Sequence, residues 1–438
     1  MDEFQKTAKE MLDFITKSPT CFHAVSNIGG MLDDAGFREL RETEEWNLAK
    51  GGKYYTKRND SSVIAFAIPA EGNGIKGFHM AAAHSDSPCF KIKEKPELTV
   101  EEHYLRLNTE KYGGMILSTW LDRPLSVAGR LAVRGEKGIE SRLVNIDQDL
   151  CVIPNVAIHM NREMNKGVEY NPQVDMLPLF ADAAFDTPEA VDGQPEKPTL
   201  LAVAAQAAGV DAEKILGEDL FLYTRQEGRF LGAKGEFVLS PRLDDLQSAF
   251  ALTKAFMESA PEEYINICAV FDNEEVGSGT RQGADSTFLE DVLQRIIEGL
   301  QESRSTYLRW VADSFLISAD NAHAVHPNHP EKADPTNRPY LNGGIVIKYH
   351  GSQKYTTDGI SAAKMKDYCE RANVPYQTYA NRSDIAGGST LGNISTAHVS
   401  VSSVDIGLPQ LAMHSAVETA GMKDTEYAVR ALKEFWRE

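Results

Sequence analysis

Five cysteines in 438 residues, scattered and without a CxxC pair, leave no disulfide framework and no thiolate zinc site to build on. Cys21, Cys89, Cys151, Cys268 and Cys369 read as reduced, buried thiols. Long apolar runs are missing too, since none approaches the roughly 18 residues that a spanning helix needs. The opening stretch MDEFQKTAKEMLDFI is acidic and amphipathic, with no apolar h-region, and does not read as a signal peptide. Positive charge is scarce: 45 Lys and Arg face 64 Asp and Glu, a net charge of −19. A sequence-independent nucleic-acid binder needs the opposite sign against phosphate, and so does a protein held on anionic lipid by basic patches. The expectation is therefore a cytoplasmic protein with neither nucleic acid nor membrane as partner. GxxxxGK[ST], HExxH and GxSxG are all absent. Gly72-x-Gly74-x-x-Gly77 matches the dinucleotide fingerprint as a string. The strand-like FHMAAAH follows it where that fingerprint needs a helix, so it reads as a hairpin turn.

What is present is ordinary globular material, 42% hydrophobic and 25% charged. Phe4, Met11, Leu12 and Ile15 recur at helical spacing and predict an opening helix over 3–17. SVIAFAI and GFHMAAA predict two strands joined by a turn. From about residue 95 the segments become polar, short and broken by glycine, the texture of a β-rich module. Residues 183–198 are rich in Pro and Asp and read as a linker. From about 235, helices after Pro241 and across 286–301, 361–371 and 424–437 alternate with strands at 264–271, 314–318 and 399–406. Such alternation means an α/β sheet with helices on its faces. The simplest architecture is an α/β domain built from residues 1–94 and 235–438, with a β-rich domain inserted at 95–234.

Histidines and acids recur where strands end. His84-Ser85-Asp86 follows an apolar strand; alone it is an ordinary turn, yet imidazole binds metal and a nearby carboxylate can orient it. Asp244-Asp245 opens a helix, where the helix dipole by itself would favour acids. Glu274-Glu275 follows INICAVF, and paired carboxylates at the carboxyl end of a buried strand suit one metal ligand and one general base. Asp320 ends SFLIS, and His414 follows the strand SVSSVDIG and a loop. His323, His326 and His329, with period three across prolines, read as a loop. His84, Asp244, Glu275, Asp320 and His414 thus form an oxygen-and-nitrogen ligand set suited to zinc, cobalt or manganese, with Glu274 left over. Two metals sharing a carboxylate would activate water for hydrolysis of a peptide or amide.

Seven ordered blocks carry a resemblance: AHSDSPCFKIK, IPNVAIHMNRE, SPRLDDLQSAF, FDNEEVGSGT, SADNAHAVHPN, GGIVIKYH and DIGLPQLAMHSAVE. Across essentially its whole length the chain resembles the aspartyl aminopeptidase family of di-metal exopeptidases. The resemblance implies a metallopeptidase domain with a central mixed sheet flanked by helices, an inserted β-rich dimerisation domain, and tetrahedral dodecamers built from dimers. It implies two divalent ions, zinc foremost, bridged by Asp244, with His84 and Asp320 on one and Glu275 and His414 on the other. Glu274 would activate the metal-bridging water, Asp86 would orient His84, and His159 would reach a neighbouring subunit's active site. Lys348 and Tyr355 would contact the acidic side chain of the first residue, with Met413 and the Gly388-Ser389-Thr390 turn lining the same pocket. The implied reaction is removal of N-terminal Asp or Glu from peptides. Two alternatives stand beside it: a same-fold aminopeptidase preferring neutral residues, and a non-catalytic shell-forming protein. One departure is Asp245, where the family usually has Asn; it adds negative charge beside the metals and bears on metal preference and pH optimum.

Overall fold

A computed structural model of the chain describes residues 2–70, 74–183, 185, 198–388 and 390–438. Gly72, Ser389 and nearly all of the 183–198 linker lie outside the described residues. The chain divides into two compact units. One comprises Met1–Ser87, Gly228–Met413 and Glu418–Glu438; the other comprises Pro88–Glu227 with His414–Val417.

The first unit is organised on a nine-stranded mixed sheet. Its centre is a parallel run of four neighbouring strands, Tyr264–Phe271, Gly77–His84, Phe315–Ala319 and Ser402–Gly407. Ser62–Ala67 flanks the run antiparallel on one side and Ile345–Tyr349 does so on the other. Gly77–His84 is buried along its full length, which is why its sequence is a continuous apolar run without strand-like alternation. Its side chains still alternate in space. Phe78, Met80 and Ala82 pack with helices Phe288–Gly299 and Arg304–Ala312. Ala81 and Ala83 pack with helices Glu3–Thr16, Leu243–Met257, Gly359–Arg371 and Asp424–Phe435. Each fully buried large side chain in these layers contributes about 1.5–3 kcal/mol of transfer free energy. This is the α/β class that the alternation of elements predicts, with the central mixed sheet between helices that the resemblance implies.

The opening helix runs Glu3–Thr16, with Asp2 accepting a hydrogen bond from the Gln5 N–H as its cap. Helices Cys21–Asp34 and Arg304–Ala312 went unread in the sequence, as did a five-stranded sheet that includes Phe237–Ser240, Pro409–Leu411 and Glu418–Gly421. CFHAVSNIGGMLDD carries two glycines and little propensity; burial of Phe22, Val25, Ile28 and Leu32 makes it a helix nonetheless.

The second unit is β-rich. Six strands, ordered Gly138–Asn145, Leu125–Gly135, Ile215–Thr224, Cys89–Val100, Tyr104–Tyr112 and Leu179–Asp182, pair antiparallel throughout. Phe90, Leu107, Val127, Leu131 and Leu222 fill its core, and Leu200 and Ala204 of helix Leu200–Ala208 join them. No helix among the described residues is long and apolar enough to cross a membrane.

Candidate metal centre

Parallel register sets Phe271 opposite His84 and Ser318 opposite Ala82, so three strands end at one edge of the sheet. His84, the Glu274–Glu275 turn and Asp320 leave from that carboxyl edge, where ligands bind in open α/β sheets. Helix Leu243–Met257, packed against strand Gly77–His84, brings Asp244 and Asp245 in its first turn. The peptide bond between these two residues is cis.

The His84 ring is fully buried and held from both sides. Its Nδ1 lies 3.1 Å from the Asp86 carbonyl oxygen and 3.4 Å from that residue's carboxylate. A carbonyl only accepts, so Nδ1 carries the proton and Nε2 is the nitrogen that can coordinate. Nε2 faces Asp244 Oδ1 at 3.4 Å and Asp320 Oδ1 at 3.9 Å. Donor atoms of His84, Asp244 and Glu275 lie within 4.8 Å of one another, and so do those of His84, Asp245 and Asp320. Asp86 also accepts the backbone N–H of both Glu274 and Glu275, each at 3.2 Å. One carboxylate therefore fixes the histidine and the glutamate turn together. Burial, reinforced by Asp320, Asp86 and Asp244 against the opposing charge of His84, pushes Glu274 up to about 7.

Against this geometry, a family model described as aminopeptidase I zinc metalloprotease (M18) matches residues 14–436. The chain belongs to the M18 family. Among its M18 relatives, a probable M18 family aminopeptidase 2 of Clostridium novyi is 49% identical over 437 residues, covering 98% of both chains. The chain from a solved complex of Ape4 with Nbr1 superposes with a TM-score of 0.94 at 37% identity, over 99% of this chain and 86% of that one. Chaetomium thermophilum mApe1 superposes at 0.88 with 31% identity, over 99% and 98%. A yeast mApe1 dodecamer does so at 0.84 with 28% identity, over 99% and 97%.

The residues in this M18 centre fit a divalent metal. Burial alone would lower the His84 pKa; Asp244, Asp320 and Asp86 overcome it and raise it well above 6.5. Burial, reinforced by Asp320 and Asp244 against the opposing charge of His84, pushes Asp245 far up as well. These are the marks of crowded carboxylates that need a cation among them. Asp245 Oδ2 accepts the His84 backbone N–H at 3.1 Å, and the Ser248 hydroxyl also bonds to this buried carboxylate. With imidazole and carboxylates and no thiolate, the donor set suits zinc or a neighbouring first-row ion.

His84, Asp244, Glu275 and Asp320 are thus brought together, with Asp86 and Glu274 beside them. Lys348 is 3% exposed, with Nζ 3.5 Å from Asp320 Oδ2 and 5.4 Å from the Tyr355 ring centroid. Despite burial, the charges of Asp320, Tyr355 and Asp405 hold its ammonium protonated far above 10.5. Tyr355 and Gly388 line one cavity, and Met413 is half-buried at the end of its unit. His414 and His159 fall in the other unit. His414 Nδ1 lies 2.7 Å from the Gly114 carbonyl oxygen, which leaves Nε2 as the nitrogen able to coordinate, and His159 is exposed.

Two buried acids escaped the reading of the sequence. Glu418, 2% exposed, accepts the Asp244 backbone N–H at 3.1 Å and so anchors the turn that presents that carboxylate. Asp405, fully buried, accepts the backbone N–H and hydroxyl of Thr356 at 2.6 and 2.8 Å, and the Thr390 hydroxyl as well. It therefore pins the segments carrying Tyr355 and Gly388. In both cases the signal was an acid inside an apolar strand, VETAG and SSVDIG.

Proposed function

We propose that the chain is an aminopeptidase that removes N-terminal Asp or Glu from peptides in the cytoplasm, with two divalent ions per subunit, zinc foremost. His84, Asp244, Glu275, Asp320 and His414 would hold them. The bound metal supplies Lewis acidity toward the scissile carbonyl and the attacking water. Glu274, already raised to about 7, takes a proton from that water and delivers it to the leaving amine. Asp86 keeps Glu274 in place through its backbone N–H. His159 of an adjoining subunit completes the site, and the β-rich unit serves as the dimerisation domain of a tetrahedral dodecamer.

The observation that carries the acidic preference is Lys348, a buried cation 3.5 Å from Asp320 and under the face of Tyr355. Asp320 would hold metal and be engaged by it, and the Lys348 ammonium would then be free to face the side-chain carboxylate of the substrate. The same ion pair also favours a second reading: if Lys348 stays engaged by Asp320, the pocket accepts neutral side chains. Turnover of Asp-, Glu-, Leu- and Lys-nitroanilides by metal-reconstituted protein separates the two. Acidic substrates should lead the panel, and Lys348→Met should cost them about 10–100-fold in kcat/KM, the worth of a charged hydrogen bond, while Leu-nitroanilide loses far less. Equal losses remove the acidic assignment.

A further inference from the structure

We propose that Asn321 is a positioning residue of the metal centre: its buried side-chain amide sets the separation of Asp244 from Asp320. The proposal rests on reading those two acids as metal ligands. They come from different parts of the fold, Asp244 from the first turn of helix Leu243–Met257 and Asp320 from the residue after strand Phe315–Ala319. Both face His84 Nε2, at 3.4 and 3.9 Å. Two acids so far apart along the chain keep such a spacing only through contacts between the segments that carry them.

Asn321 supplies those contacts. It is 2% exposed and directly follows Asp320. Its Nδ2 donates to the Leu243 carbonyl at 3.1 Å, to Gln410 Oε1 at 2.9 Å and to Gln247 Oε1 at 3.2 Å. Its Oδ1 accepts the Ser248 hydroxyl at 3.2 Å. A carbonyl only accepts, so the amide nitrogen has to be the end that faces Leu243. That contact acts on Asp244, because the Leu243 carbonyl and the Asp244 N–H belong to one peptide plane, and Glu418 accepts that N–H at 3.1 Å. The plane leading into Asp244 is thus held at both ends, and the Ser87 hydroxyl holds the Asp244 carbonyl beyond it at 2.8 Å. The backbone around Asn321 is fixed to the sheet in turn. The Asp320 N–H donates to the Ile406 carbonyl at 3.1 Å and the Ala322 N–H to the Leu408 carbonyl at 2.8 Å. One amide therefore bridges a fixed loop and a held turn, and the two acids cannot separate without breaking buried hydrogen bonds. Gln247 shares the network without touching that plane: among the described residues its side chain bonds Asn321 and, at 3.1 Å, Thr425.

The test titrates the metal-free full chain with zinc against a chromogenic chelator, for the wild type, Asn321→Ala, Asn321→Ser and Gln247→Met. Both Asn321 variants should bind zinc about 10–100-fold more weakly, the usual cost of removing a group that orients a metal ligand. Gln247→Met also gives up buried hydrogen bonds, yet should keep the wild-type affinity. With zinc saturating, kcat of Asn321→Ala should fall by about 10²-fold while KM changes far less, because shifted ligands misplace the reacting groups. Urea unfolding of the metal-free proteins separates folding from positioning. A purely structural Asn321 lowers the unfolding midpoint and leaves zinc affinity and kcat alone; that result, or an equal loss of affinity in Gln247→Met, overturns the proposal. Should Asn321→Ala not fold, Asn321→Ser, which keeps a hydroxyl at the position, carries the same comparison. The titration needs no substrate. A wild type that binds zinc but cleaves no peptide removes the proposed function, while the affinities still decide the role of Asn321.

Discussion

Glu274 occupies a place where its chemistry is set by neighbours. Its backbone is tied to Asp86, and burial plus the Asp320, Asp86 and Asp244 charges lift it to about 7, a value that suits the proposed role of taking a proton and returning it near neutrality. Glu275, one residue on, sits within the donor group of His84 and Asp244. Adjacent side chains on a tight turn point apart, which would let one glutamate hold metal while the other moves protons, as proposed. Glu274→Gln removes the proton acceptor and keeps the shape. Its kcat should fall by about 10²–10⁴-fold, with metal content by elemental analysis unchanged. Retained turnover excludes Glu274 as the base, and lost metal makes it a ligand instead.

Among the elements, helix Asp424–Phe435 shows how a buried acid ties sheet to loop. Ala428, Leu432 and Phe435 pack into the apolar layer, and Asp424 accepts the backbone N–H of Asn342 at 2.7 Å and of Gly344 at 2.9 Å. Burial, against the pull of those N–H groups, raises its pKa to about 7 from 3.8. A raised folded-state value means the native chain holds a proton that the unfolded chain has released. Stability from this group therefore falls as pH rises from about 4 to 7, by up to about 4 kcal/mol at roughly 1.4 kcal/mol per pH unit. Asp424→Asn removes that dependence. Urea unfolding at pH 5, 6, 7 and 8 should show the wild type losing stability relative to the variant from pH 5 to 7 and levelling off by pH 8; a constant difference throughout means the carboxyl has its ordinary pKa. Elements like this one also show what the sequence carried. Strands buried on both faces announce themselves as apolar runs, and an acid just past such a run, as at Asp320, marks the sheet edge. Glu418 and Asp405 were not legible because their roles come from partners 174 and 49 residues away, Asp244 and Thr356. Helix Cys21–Asp34 was hidden for a related reason, its stability lying in packing and not in its own composition.

At the scale of the whole molecule, His159 stands exposed in a loop whose neighbours Val156, Ile158 and Met160 are 50%, 46% and 82% exposed. Apolar side chains gathered on a surface loop mark a protein interface, and the mApe1 relative is a dodecamer. If this loop docks on a second copy and delivers His159 to that copy's centre, each active site draws on two chains. His159→Ala and Glu274→Gln should then each be nearly inactive alone for different reasons. In a mixed assembly, a His159→Ala subunit keeps its own Glu274 and receives His159 from a Glu274→Gln neighbour. Co-refolding the two variants in equal amounts gives about half heterodimers, each with one competent site of two, so roughly a quarter of wild-type activity should return. Light scattering on the same sample checks that assembly is intact. A mixture no more active than its parts, in particles of full size, places His159 within its own subunit's surface and outside the chemistry.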